Sequence, residues 1–231
     1  MAVNIDTVYQ RVLTLANKEQ RGYVTPQEFN LLANQAQMEI FEQYFYDIKQ
    51  LGRMPGNDAE YSDPLSVLYE KIGIFENEIV SAASMTIPLV AHKIGVVNIN
   101  GNQAELLNVK DFYAALKSRL TSPTLQRPII CIVNRIIRAS NTFGFANVTT
   151  TNSTIGIHYT RRPPAVNWGY AVINEKSLYN PNISVDFQLH GSEETELVYK
   201  ILKLAGFNLK AADVAKAAAA LETSQIQQEK Q

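Results

Sequence analysis

Apolar residues in the first third of the chain recur at helical spacing. Asp6 is placed to cap a helix that carries Val8, Val12 and Leu15 on one face. After a polar linker with Gly22, Thr25-Pro26-Gln27-Glu28 forms a helix start. Thr25 is the N-cap, Pro26 takes the first helical position, and Glu28 reaches back to close a capping box. The helix that follows is expected to run to about Gln50. Phe29, Leu32, Ala36, Ile40 and Tyr44 form its apolar face, widened by Phe41, Phe45 and Ile48. Pro55 and Gly56 break it, and Asp63-Pro64 starts a short third helix through Leu65, Leu68 and Ile72.

From Ile79 the pattern shifts toward strand, with Val, Ile and Thr frequent. Asn100-Gly101 is a hairpin turn signal, because both central residues of a type I′ turn need positive φ. The stretch Asn98-Ile99-Asn100-Gly101-Asn102 resembles a calcium loop only superficially, since Val109 occupies the twelfth position counted from Asn98, where such a loop needs a bidentate Glu. Asp111 is expected to cap a short helix over Phe112 to Arg119. Ile129 to Ala139 reads as one strand, Asn141 to Gly144 as a turn, and Ile155 to Thr160 as a strand stopped by Pro163-Pro164. Trp168 to Phe187 reads as irregular, with a short strand near Ile183 to Leu189. Ser192 is expected to cap a terminal helix, with Glu193, Glu194 and Glu196 favouring the positive end of its dipole. Leu197, Ile201 and Leu204 make the apolar stripe of that helix, and Gly206 its stop. An alanine-rich helix from about Lys210 fades into a glutamine-rich tail.

The expected class is therefore α+β: a helical bundle formed by N- and C-terminal helices, with a β-rich middle region. Three parts follow. Residues 1–78 are helical, 79–190 are β-rich with a short helix, and 191–231 hold C-terminal helices that pack with the first part, plus the tail.

Composition narrows function more by exclusion than by indication. Of 231 residues, 46% are hydrophobic, enough for a real core. With 21 Lys and Arg against 22 Asp and Glu, the formal net charge of -1 supplies no global attraction to nucleic acid or an acidic membrane. The single cysteine, Cys131, lies in an apolar run and reads as a small buried hydrophobe. No signal-peptide pattern opens the chain, and no apolar run approaches the roughly 20 residues of a membrane span. Synthesis and retention in a cytoplasm-like compartment are expected, without membrane association. His92, His158 and His190 are scattered, outside any metal-ligand spacing. No nucleophile elbow or phosphate-binding glycine loop occurs. No catalytic, cofactor-binding or metal-binding residue is assigned, no cofactor is expected, and the chain is read as not an enzyme.

Two groups remain as contacts. Arg161-Arg162, before Pro163-Pro164, is the sharpest basic spot, with Arg135 and Arg138 in the strand region preceding it. It can meet phosphate, or simply end a strand at a protein neighbour. The tail residues Gln225, Gln227 and Gln228 offer amide groups to a partner, around the lone apolar Ile226.

Three blocks of the chain resemble virion proteins of tailed phages, including those of crAss-like phages. They are LTLANKEQRGYVTPQEFN at 13–30 with its continuation through EQYFY at 42–46; YTRRPPAVNW at 159–168 with VDF at 185–187; and SEE at 192–194 with the helix to Ala205-Gly206 and the glutamine-rich end. Together with their continuations they span about half the chain, in the expected order. The stretch from Ile79 to Asn152 takes no part. The resemblance implies a structural, non-catalytic component of the virion tail or neck, made in the host cytoplasm. It points to a head-to-tail connector or adaptor: a homo-oligomeric ring of twelve copies bound to the portal protein and to neighbouring tail or connector rings. Genome DNA would pass through its lumen during ejection. Two other classes stay open. A nucleic-acid-binding protein would use Arg135, Arg138, Arg161 and Arg162, and would show strong, salt-dependent DNA affinity. An enzyme with an unfamiliar site would gather His, Asp or Glu in one deep pocket.

Overall fold

A computed structural model describes residues 3–18, 24–51, 62–81, 86–140, 154–174, 176–208, 220 and 223–224. The class is α+β, as the hydropathy pattern implies. The chain forms two compact units: Met1–Ile74 with Pro163–Gln231, and Phe75–Arg162. Residues 163–190 thus belong with the helices, whereas the sequence reading placed them in a β-rich part. The first boundary falls after Ile74 rather than after residue 78.

In the first unit, α1 (Ile5–Lys18), α2 (Pro26–Leu51), α3 (Ser62–Gly73) and α5 (Glu194–Asn208) supply the helices. α2 packs on α3 and α5, and α1 packs on α5. The capping box that opens α2 has formed. Glu28 N–H donates to Thr25 Oγ1 at 3.3 Å and Thr25 N–H to Glu28 Oε2 at 3.0 Å, which holds the Glu28 carboxyl below its usual range. Phe29, Leu32, Ala36, Ile40, Phe41 and Tyr44 are buried along its face. The cap of α1 is Asn4, not Asp6: Asn4 Oδ1 accepts from Thr7 N–H at 3.0 Å. Asp186, from late in the chain, accepts the N–H of Ile5 at 2.9 Å. Ser192 does not cap α5. It sits in a 3-10 turn, Gly191–Glu193, whose N-cap is His190. Nor does Gly206 stop α5, which continues to Asn208; burial of Leu197, Ile201 and Ala205 along the helix outweighs the roughly 1 kcal/mol cost of an interior glycine.

Residues 168–187, read as irregular, contain a hairpin. β8 (Tyr170–Ile173) and β9 (Lys176–Tyr179) pair antiparallel across a two-residue loop that begins with Asn174 at φ 50. Beyond it lie a 3-10 turn, Pro181–Ile183, and isolated bridges Asn167↔Val185 and Val3↔Phe187, where a short strand was expected.

The second unit joins two sheets. One has the order β1-β7-β2-β3, with β1 (Glu76–Ser81), β2 (Ala91–Ile99), β3 (Asn102–Gln103) and β7 (Ile155–Arg161); the other has the order β4-β5-β6, with β4 (Glu105–Leu106), β5 (Ile129–Val133) and β6 (Ile136–Ser140). Asn100 and Gly101, at φ 52 and 83, make the expected turn between β2 and β3. The region read as one strand, 129–139, is two strands. β5 (Ile129–Val133) turns into β6 (Ile136–Ser140) through Asn134-Arg135, both in the left-handed region. The alternation of β5 explains its apolar run. Ile130 and Ile132 face a core with Val97, Ile99, Ile155, Ile157 and Tyr159. Ile129 and Cys131 face Phe112 and Leu116 of α4 (Val109–Lys117). β4 (Glu105–Leu106) runs parallel to β5. The helix α4 begins at Val109 with Asn108 as N-cap residue, so Asp111 lies in its first turn rather than at its cap. Gly95 sits where the β2–β7 register shifts between Ile94 and Val97; a Cβ there would lie 3.2 Å from the His158 carbonyl oxygen. The expected turn at 141–144 and the alanine-rich helix from 210 lie outside the described residues, apart from helical positions 220 and 223–224.

Candidate interaction surfaces and a buried charge cluster

The first unit grips an extended segment with amide side chains. Asn30, Asn34 and Gln37 share one face of α2. Asn34 donates to the Val166 carbonyl and accepts from the Val166 N–H, each at 2.9 Å. Asn30 accepts from Trp168 N–H at 2.7 Å, and Gln37 donates to the Pro164 carbonyl at 2.8 Å. These amides act as a partner strand for residues 164–168, satisfying backbone groups that Pro163-Pro164 and the lack of a ladder would otherwise leave unpaired. Hydropathy spacing marks the apolar face of α2 but not these amides. Their spacing of four and three residues was the available signal.

The clasped segment ends at Trp168, which supports the hairpin. Its indole N–H donates to Asp6 at 2.9 Å, so Asp6 anchors this ring rather than the helix start. Tyr170 and Tyr179, paired across β8 and β9, stack on Trp168 at centroid distances of 5.7 and 5.8 Å. By strand alternation the opposite face of the hairpin carries Ala171, Ile173, Lys176 and Leu178. All four are exposed, Ile173 to 54% and Leu178 to 50%. Among the described residues no other strand pairs with this hairpin. It is a firmly mounted, outward-facing apolar surface. Gly169 makes the mount tight, since a Cβ there would come within 2.4 Å of the Ile183 side chain.

The four arginines all lie in the second unit, with different duties. The Arg135 guanidinium donates to the carbonyls of Ile87 and Pro88. It pins the turn that exposes Leu89 and Val90. Arg138 donates to Tyr113 Oη at 3.0 Å. Arg161 ends β7 half-buried, and Arg162 is exposed, with its backbone N–H on the Val90 carbonyl. The guanidiniums of Arg135 and Arg138 therefore make internal contacts. Gln225, Gln227 and Gln228 lie outside the described residues.

Comparison with protein-family models finds no match, and neither does comparison with curated proteins.

Chemistry elsewhere is sparse. Among the described residues no three His, Cys, Asp or Glu side chains gather to hold a metal ion. No helix among them is long and apolar enough to cross a membrane. His158 faces Glu78 across the β1–β7 pair at 3.3 Å, His92 is exposed, and His190 Nδ1 meets Ser192 Oγ at 2.8 Å. Burial pushes the Cys131 thiol up, opposed by nearby Arg138. An open groove of about 590 Å³ is lined by Gln10, Arg11, Thr14 and Leu15 of α1 and by Val198 and Tyr199 of α5.

The densest titratable cluster is buried in the first unit. Glu193, Glu196, Lys71 and Lys200 are each at most 9% exposed. Lys71 Nζ lies 2.5 Å from Glu193 Oε1, and Lys200 Nζ lies 3.4 Å from Glu196 Oε1 and 3.1 Å from Gln43 Oε1. Glu193 and Glu196, read from the sequence as charges favouring the helix dipole, are also buried here.

Proposed function

We propose that the chain is a structural, non-enzymatic virion protein that assembles into an oligomeric ring of a phage head-to-tail connector, with genome DNA passing through the lumen. The observation that supports it most is the β8–β9 hairpin. The block of sequence that resembles phage virion proteins folds here as a segment clasped by α2, leading to an apolar face held outward on an aromatic base. Exposed apolar surface on a rigid mount favours protein–protein contact. Heterologous contact between identical subunits closes into a ring when the rotation permits. The commitment of Arg135 and Arg138 to internal contacts weighs against the nucleic-acid reading. A conduit with near-neutral charge would let DNA pass without gripping it.

The test uses the full chain and the double substitution Ile173→Thr with Leu178→Thr, which keeps strand propensity while removing apolar surface. Mass photometry should find ring-sized oligomers of the native protein and at least about a tenfold weaker assembly of the variant, with melting nearly unchanged. Native protein that stays monomeric at every concentration refutes the ring. Rings that survive the substitutions refute the hairpin as the contact. No hydrolase or nuclease turnover is expected in either sample; turnover lost on replacing one His or carboxylate would support an enzyme instead.

A further inference from the structure

The larger sheet of the second unit has two open edges of opposite charge. β1 is one of them, paired only with β7 among the described residues. β2 pairs with β7 on one side. On its other side β3 meets it at Asn98 and Ile99, and Ala104 N–H donates to the Val97 carbonyl at 2.8 Å. Among the described residues no strand lies along the second side of Ala91–Val96. β1 has six residues, and this open stretch of β2 is of the same length.

Both edges reach solvent. Arg161 N–H donates to the Phe75 carbonyl at 2.8 Å. Antiparallel alternation then turns the N–H and C=O of Glu76, Glu78 and Val80 away from β7. Those three residues are exposed, as are His92, Lys93, Gly95 and Val96 of β2. Glu76 lies beside Thr160, and Thr160 beside Lys93, so Glu76, Glu78 and Lys93 share one face of the sheet. Glu78 also meets His158 on that face, at 3.3 Å. The acid is on one edge strand and the base on the other.

Open strand edges accept further strands, and charge on them selects against the wrong match. A β1 edge against a second β1 sets Glu against Glu. A β2 edge against a second β2 sets Lys against Lys. Only β1 against β2 sets acid beside base. Both strands are antiparallel to β7, so they run parallel to each other. We propose that the β1 edge of one copy pairs, as a parallel strand, with the Ala91–Val96 edge of the next copy, so that the sheet runs on from subunit to subunit. Glu76 and Glu78 of one copy then meet Lys93 of its neighbour. The contact is heterologous, since each copy gives a different edge to each neighbour, and such contacts close into rings when the rotation permits. Register shifts in β2 between Ala91 and Lys93 and between Ile94 and Val97 keep the ladder short. The inference rests on the reading that copies of this chain associate, and it adds a surface separate from the β8–β9 hairpin.

Cysteine cross-linking of the full chain tests it. The native cysteine, Cys131, is buried. Glu76→Cys and Lys93→Cys are placed together in one chain. Within that chain β7 separates the two positions by two strand spacings, about 10 Å, beyond the roughly 7 Å between Cα atoms that a disulfide can span. A disulfide between them therefore joins two copies. Under mild oxidation the double variant is expected to shift from monomer to a ladder of dimers, trimers and larger species on denaturing, non-reducing gels. Each single variant alone is expected to stay monomeric there, and a mixture of the two to give dimers. Glu78→Cys with Lys93→Cys reads the register shifted by two residues. Mass photometry of the native protein reports association itself. Native protein that assembles while both double variants stay monomeric on oxidation overturns the edge contact and leaves the ring standing. Dimers from a single variant alone also overturn it, because like edges have then met. Native protein that stays monomeric at every concentration refutes the assembly on which the contact rests, and the contact with it.

Discussion

The two units are held by different physics. The second, residues 75–162, rests on apolar side chains that alternate between layers, with strand pairing to satisfy the backbone. The first has a buried apolar core too, and adds polar side chains that spend their hydrogen bonds on distant backbone. Asn34 reaches Val166, Asn30 reaches Trp168, and Asp186 reaches Ile5. It also buries two Lys–Glu pairs. An alternating apolar pattern finds its own partners, because one face must be buried somewhere. An amide finds its partner only when the fold is complete. Both units should suffer from cavities, and the first should suffer from lost amide partners as well.

The largest effect tests the apolar side. Ile157→Ala removes a fully buried side chain from the shared core of the two sheets and should cost about 2–5 kcal/mol. Chemical denaturation followed by probes in the second unit measures it; a loss below about 1 kcal/mol would mean the core collapses around the gap. Next comes Asn34→Ala, which leaves the Val166 N–H and carbonyl without their side-chain partners. We expect a loss of about 1–3 kcal/mol, with faster amide exchange confined to residues 164–168. Unchanged protection there would reduce the clasp to incidental contact and remove the contrast. Gly101→Val forces a β-branched residue into φ 83 and should cost about 1–2 kcal/mol, read by melting and by loss of cross-strand contacts between Asn98 and Gln103. The smallest is Thr25→Ala, about 1 kcal/mol from the lost cap of α2. Equal melting of native and variant would show the capping box to be dispensable.

What the sequence made legible follows the same division. The start of α2 and its apolar face were readable because capping and periodicity are local. So was the Asn100-Gly101 turn. The split of 129–139 into two strands was hidden because Asn134-Arg135 has no glycine; Arg135 holds a left-handed conformation while its guanidinium binds the Ile87 and Pro88 carbonyls, a contact 47 residues or more away. The β8–β9 hairpin was missed for a related reason. Its turn begins at Asn174 without glycine, and its strands are four residues each. Ser192 and Gly206 carried valid local signals that tertiary packing overrode. Glu193 and Glu196 read only as charges favouring the helix dipole, because nothing local reveals that Lys71 will arrive beside Glu193. Of the proposed contact residues, Arg135 proved to be a loop fastener, and the hairpin supplied a surface that the pattern had not marked.

The ring proposed here requires this chain to assemble with copies of itself. Negative-stain electron microscopy of the purified full-length protein, across a range of concentrations, tests it most directly. Closed rings with an open centre are expected, their subunit number fixed across the population. Monomers at every concentration, or open filaments without closure, would contradict it.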